Sequence, residues 1–149
     1  MKTEFRPCTY DDLDYVVKLK ELGMKWYIEK IYGWDENVQR AFTKKEFDEK
    51  LPNMKIIMLD GQDIGATTFG EYDDYFEVGL IVLHPDYRNR GIATRILNNY
   101  IEFARPTGKR IVLKTYQENP AQRLYFRLGF KVYDRDKTHI YLEYTFDEK

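Results

Sequence analysis

Residues 84–97 read HPDYRNRGIATRIL. The largely apolar run YFEVGLIVLH (75–84) leads into them, and Pro85 ends that run because proline cannot donate to a strand ladder. Beyond Gly91, residues Ile92, Ile96, Leu97, Tyr100, Ile101 and Ala104 recur at helical spacing, so the stretch is a strand-to-helix junction. The first backbone N–H groups of a helix have no internal partner and lie at the positive end of its dipole. A glycine there permits close backbone approach, and Arg88 and Arg90 add charge-assisted hydrogen bonds, which suits a phosphate-bearing ligand. The spacing is neither the GxGxxG of a dinucleotide fold nor the GxxxxGK(S/T) of a P-loop. A basic first turn simply exposed to solvent is the plainer alternative.

The flanking pattern is mixed α/β. TEFRPCT (3–9) reads as a strand, and Thr9 with Asp12 as a helix N-cap with its capping-box partner. Leu13, Val16, Val17, Leu19 and Leu22 mark a helix running to about residue 32, where Gly33 stops it. A second helix over 35–50 presents Val38, Ala41, Phe42 and Phe47. Strands at 54–60 and 63–72 flank the tight turn Asp60-Gly61-Gln62, and 75–84 is a long, central strand. After the helix from Gly91 come a buried strand at 109–116 and a short helix opened by Asn119-Pro120 and closed by Gly129. A final hairpin, FKVYDRD and HIYLEYTF, completes the order β-α-α-β-β-β-α-β-α-β-β.

The 149 residues fit one domain, 1–149, with room for a real core. A formal net charge of −1 argues against a general nucleic-acid or anionic-membrane binder, which carries a basic excess. Charge is nonetheless uneven: 71–77 (EYDDYFE) holds four carboxylates and no base, whereas 84–110 holds six Lys or Arg against Asp86 and Glu102. Cys8 is the single cysteine, so an intrachain disulfide or thiolate metal site is excluded, and it reads as a small buried hydrophobe. The two histidines, His84 and His139, lack ligand spacing, so no metal is expected. No apolar run approaches a membrane span and no leader is visible, so the expectation is a cytoplasmic protein with no membrane or nucleic-acid partner.

Arg88-Asn89-Arg90-Gly91-Ile92-Ala93 matches R/Q-x-x-G-x-G/A and resembles the acetyl-CoA loop of the GNAT N-acetyltransferases. LHPDYRNRGIATRIL is similar to that family's strand-4-to-helix-3 segment, and NPAQRLYFRLGF (119–130) to its second motif; the element order agrees as well. The resemblance implies a mostly antiparallel mixed sheet of six to seven strands with about four helices, splayed between strands 4 and 5 by a bulge in 75–84. It implies acetyl-CoA as co-substrate, its pyrophosphate at the amides of Arg88, Asn89, Arg90, Gly91, Ile92 and Ala93 and the Thr94 hydroxyl. Its pantetheine would pair with the backbone near Ile81 and Leu83, and the Leu83 amide would polarise the thioester carbonyl. Asn119 would contact the cofactor, but it precedes Tyr125 by six residues where the family more commonly has seven, so a role as a helix cap only is the alternative.

Acetyl transfer to an amine of pKa about 10 needs a base, because the amine is protonated at neutral pH. Glu77, on the cofactor strand and six residues before Leu83, looks like the family's glutamate base; a relay of waters is the other route, and a solvated carboxylate the plain reading. Tyr125 stands four residues before Gly129, where the family places its acid tyrosine. A phenol of pKa about 10 is protonated at neutral pH and roughly matched to a leaving thiol. Ala121, Leu124, Tyr125 and Leu128 also form a helical core stripe, which is the alternative.

Trp34 and Asp35 follow Gly33 at the break between the first two helices, as a corner anchor and a helix N-cap, or as acceptor-binding residues. If they line one pocket with Glu71 and Glu77, an aromatic wall with carboxylates favours a small cationic amine. The expectation is therefore acetyl transfer from acetyl-CoA to a primary amine by direct attack. A protein or peptide acceptor, and a non-catalytic acyl-CoA-binding or sensing module on the same fold, stay open, as does a homodimer.

Overall fold

The computed structural model describes residues 2–146. Among these, seven strands and four α-helices follow the predicted order, with boundaries moved by a residue or two. They are β1 (Thr3–Pro7), α1 (Leu13–Tyr32), α2 (Glu36–Lys50), β2 (Met54–Leu59), β3 (Gln62–Glu71) and β4 (Tyr75–Leu83), then α3 (Ile92–Ala104), β5 (Arg110–Tyr116), α4 (Gln122–Leu128), β6 (Lys131–Arg135) and β7 (His139–Tyr144). The strand order is β1-β2-β3-β4-β5-β7-β6. β1·β2, β2·β3, β5·β7 and β6·β7 are antiparallel. β4 and β5, joined through α3, are parallel, as a strand-helix-strand crossover demands, with pairing from Tyr75↔Arg110 to Glu77↔Val112. Among the described residues no helix is long and apolar enough to cross a membrane.

The chain divides into two compact units. The first comprises the residues through Thr68 together with Leu80–Arg90. Its core joins Leu13, Val16 and Leu19 of α1, Phe47 of α2, Met54 and Ile56 of β2, Ala66 of β3 and Leu80 and Val82 of β4, with Cys8. Burial pushes the Cys8 thiol up to about 11, so it stays a neutral, inert core group at physiological pH. Thr9 and Asp12 form the capping box: the Thr9 N–H donates to Asp12 Oδ2 at 3.0 Å, and Arg6 holds the same carboxylate with two bonds. Gly33, at φ +77°, ends α1, and the Asp35 side chain caps α2 by accepting from the Val38 N–H at 3.1 Å. Asp60 (φ +51°) and Gly61 (φ +86°) make the tight β2–β3 turn.

The predicted face of α2 is corrected. Val38 and Phe42 are 59% and 52% exposed, and of the four apolar residues expected together only Phe47 is buried. The inward stripe is instead Gln39, Thr43, Glu46 and Phe47, because α2 packs against a buried lysine of α1. Lys20 is 5% exposed; its Nζ donates to Thr43 Oγ1 at 3.2 Å and to Glu46 Oε1. A polar inward stripe is what a buried ammonium requires.

The second unit comprises Phe69–Gly79 and the residues from Gly91 onward. Its buried residues include Phe76 of β4, Ile92, Ile96, Leu97 and Ile101 of α3, Ile111 and Leu113 of β5, Tyr125 of α4, Phe130 and Leu142. The apolar stripe of α3 is thus the one its spacing predicts. Phe69 stacks on Tyr100 with centroids 3.9 Å apart and on Phe76 at 5.1 Å.

Candidate active site

β4 supplies the strand side of the site. Phe76, Val78, Leu80 and Val82 are buried while Glu77, Gly79 and Ile81 are more open, so the two-residue alternation runs unbroken to Val82; Leu83 is buried as well. Backbone groups of an extended strand alternate in direction too. The His84 N–H donates to Ile64 O of β3 at 2.7 Å, and a Cβ added at Gly65 would stand 2.4 Å from Val82 O. The Val82 and His84 peptides therefore face β3, and those of Ile81 and Leu83 face the opposite way. Glu77 lies on the more open face of β4, between buried and exposed.

The loop after β4 begins with a 3-10 turn, Pro85–Tyr87, and contains two left-handed residues, Asn89 (φ +61°) and Gly91 (φ +77°). Gly91 is the N-cap of α3, and that conformation is strained for any residue with a side chain. No side chain caps this helix. The first intrahelical bond is from the Arg95 N–H to Gly91 O at 3.1 Å, so the amides of Ile92, Ala93 and Thr94 precede the helix's own ladder. Among the described residues, chain neighbours aside, nothing lies within 4 Å of a Cβ added at Gly91, so the approach is open on that side. Arg88, Asn89, Arg90 and Gly91 are exposed, Ile92 is buried and Ala93 and Thr94 lie between.

Neither guanidinium projects freely. Arg90 lies over the Tyr87 ring at 5.2 Å, and the Tyr87 hydroxyl donates to Gln62 Oε1 at 3.3 Å. Arg88 Nη2 lies 3.5 Å from Leu83 O. Sequence reading missed both anchors: Tyr87 stands in the motif itself, but its use as a platform depends on Gln62 of β3.

Tyr125, on α4, is 5% exposed and meets Phe130 edge-on at 6.1 Å. Burial pushes its phenol up to about 12, further from a thiol than the ordinary value of about 10. Asn119 uses both ends of its amide at the entrance to α4. Its Oδ1 accepts from the Ala121 N–H at 2.9 Å, and its Nδ2 donates to Thr115 Oγ1 at 2.8 Å. The helix begins at Gln122, so Asn119 makes a capping turn just ahead of it.

Among the acceptor candidates, Asp35 is occupied as the α2 cap, while Trp34 carries a buried indole N–H without a hydrogen-bond partner among the described residues. Glu71 accepts from Lys109 Nζ at 2.8 Å, a partner that only the folded chain brings near. Glu77 stands opposite Val112 in the β4–β5 register. His139 packs on Tyr116 with centroids 4.2 Å apart and places Nδ1 2.8 Å from Thr138 Oγ1; burial, aided by Lys114, holds its pKa below the usual 6.5. Among the described residues no group of three or more His, Cys, Asp or Glu is placed to hold a metal ion.

The chain is 30% identical over 135 residues to an uncharacterized N-acetyltransferase of Methanocaldococcus jannaschii, covering 85% of this chain and 59% of that protein's length. Its fold is similar to the PaiA N-acetyltransferase of Thermoplasma acidophilum, solved in complex with coenzyme A, at a TM-score of 0.76 and 19% identity, over 98% of this chain and 100% of that one. It is also similar to the ribosomal-protein-S18-alanine N-acetyltransferase of Escherichia coli, at a TM-score of 0.70 and 16% identity, over 99% and 96% of the two chains. The model of the acetyltransferase (GNAT) family matches residues 19–130, and the chain belongs to that family.

Proposed function

We propose that the protein transfers acetyl from acetyl-CoA to a primary amine by direct attack. The observation that carries this reading is the junction after β4: left-handed Gly91 opens α3 with its first amides outside the helical ladder and, among the described residues, nothing against its open side. Those amides, with the Thr94 hydroxyl and the Arg88 and Arg90 charges, suit a diphosphate. The Ile81 and Leu83 peptides suit an extended, amide-bearing arm paired like a strand.

In this reading the amine nitrogen attacks the thioester carbonyl carbon, and the Leu83 N–H donates to the oxygen as it gains charge. The carbon–sulfur bond then breaks, and Tyr125 gives its proton to the departing thiolate. The proton lost by the amine goes to Glu77 or, in the alternative route, to a relay of waters. Asp73 and Asp74 are exposed and Glu71 is shared with Lys109, so the acidic hairpin 71–77 steers a cationic acceptor electrostatically rather than seating it.

The test is thiol release from acetyl-CoA against a panel of amines, including peptide N-termini, with wild type, Tyr125→Phe and Glu77→Gln. Release with one amine class is expected. Tyr125→Phe is expected to lower kcat by about 100-fold or more with acetyl-CoA affinity unchanged. Full activity in Tyr125→Phe would return that side chain to the core alone. Acetyl-CoA binding without release on any acceptor would favour the sensing module.

A further inference from the structure

We propose that Arg88 is a latch on the Leu83 carbonyl and that acetyl-CoA displaces it. The proposal rests on the acetyl-CoA reading above. Two arginines in one loop invite the same role, a pair of cations for a diphosphate, but their side chains are engaged differently. Arg90 lies on Tyr87, within its own loop. Arg88 turns back along the strand that precedes it, with Nη2 3.5 Å from Leu83 O.

That carbonyl matters because of its direction. The Val82 and His84 peptides are turned toward β3, so Leu83 O lies on the other edge of the strand, with the Ile81 and Leu83 amides. An extended ligand arm that pairs with this edge needs the Leu83 carbonyl as an acceptor. Arg88 occupies it first.

Gly23 supplies the second, independent observation. It lies inside the 20-residue helix α1, where glycine is worse than alanine by roughly 1 kcal/mol. A Cβ added there would stand 2.7 Å from Arg88 Nη2 and 3.4 Å from Val82 Cγ2. The missing side chain is therefore the notch in which the guanidinium tip rests. α1 and the carbonyl of β4 flank the same nitrogen, and an alanine at position 23 makes it shift while keeping the arginine and its charge.

Gly23→Ala also favours the helix, so the variant is expected to fold. Calorimetry with acetyl-CoA is expected to give twofold to tenfold tighter binding for Gly23→Ala, the scale of one released hydrogen bond, about 0.5–1.5 kcal/mol. In an Arg88→Ala background the same substitution is expected to change nothing, because the group it displaces is gone. Arg90→Ala serves as the control, with weaker binding and a shallower salt dependence. If Gly23→Ala leaves affinity unchanged or lowers it while Arg90→Ala weakens binding, the latch is wrong and the cofactor reading stands. An equal gain in the Arg88→Ala background assigns the effect to the helix and overturns the latch. No acetyl-CoA binding by the wild type removes the cofactor reading and the latch together.

Discussion

At Tyr125 the decisive quantity is burial. The phenol is held up at about 12, so its neutral, proton-donating form persists well past the ordinary tyrosine range. A raised pKa means the stability contribution is complete below about pH 10, where the unfolded tyrosine ionises, and is lost as pH rises from there toward 12. The folded phenol keeps its proton until pH nears 12. The wild-type pH–rate profile is therefore expected to show no alkaline limb from this residue up to pH 10. A limb near 10 that disappears in Tyr125→Phe would mean the hydroxyl stands in water. The sequence placed this tyrosine through its neighbours in NPAQRLYFRLGF, but its acidity was hidden, because Phe130 and the closing of α4 set it only in the folded chain. The loop arginines divide the same way. Their identity is local and legible, whereas the resting places of their side chains depend on Gly23 and Tyr87.

Helix ends were legible for the reason that the inward face of α2 was not. A cap is a bond between residues three apart, so Thr9 with Asp12 and Asp35 with Val38 could be read from the chain alone. The inward face of α2 is fixed by its partner, and Lys20 turns that face polar against the apolar spacing of Val38 and Phe42. The arrangement has a testable asymmetry. Glu46→Ala leaves the Lys20 ammonium, 5% exposed, with Thr43 as its remaining described side-chain hydrogen-bond partner, and is expected to cost about 2–3 kcal/mol. That figure is below the loss for a fully buried pair because the Glu46 side chain is 28% exposed. Lys20→Met removes the charge and keeps the apolar stem, and is expected to cost less, about 1 kcal/mol. Urea midpoints at unchanged m-value would measure both. The reverse order would mean that the ammonium escapes to water once Glu46 is gone.

For the molecule as a whole, the parallel β4–β5 pair follows from the strand-helix-strand order alone, whereas the placing of β7 between β5 and β6 does not. Both strands of the last hairpin are short, aromatic and antiparallel, and which one pairs with β5 is decided by a register running from Ile111↔Tyr144 to Tyr116↔His139. Ligand binding is likewise a property of the folded chain, so it is measurable as stability. A ligand that binds only the folded state at 100 times its Kd adds about 2.7 kcal/mol. At about 2–4 °C per kcal/mol for a chain of this size, acetyl-CoA is expected to raise Tm by about 5–10 °C. S-acetylpantetheine has the thioester and the amide arm but no diphosphate. At the same concentration it is expected to give a much smaller shift, and Arg90→Ala to lessen the shift with acetyl-CoA. Equal shifts with the two ligands would place the affinity in the pantetheine arm along β4, and the amides that open α3 would then be no phosphate seat.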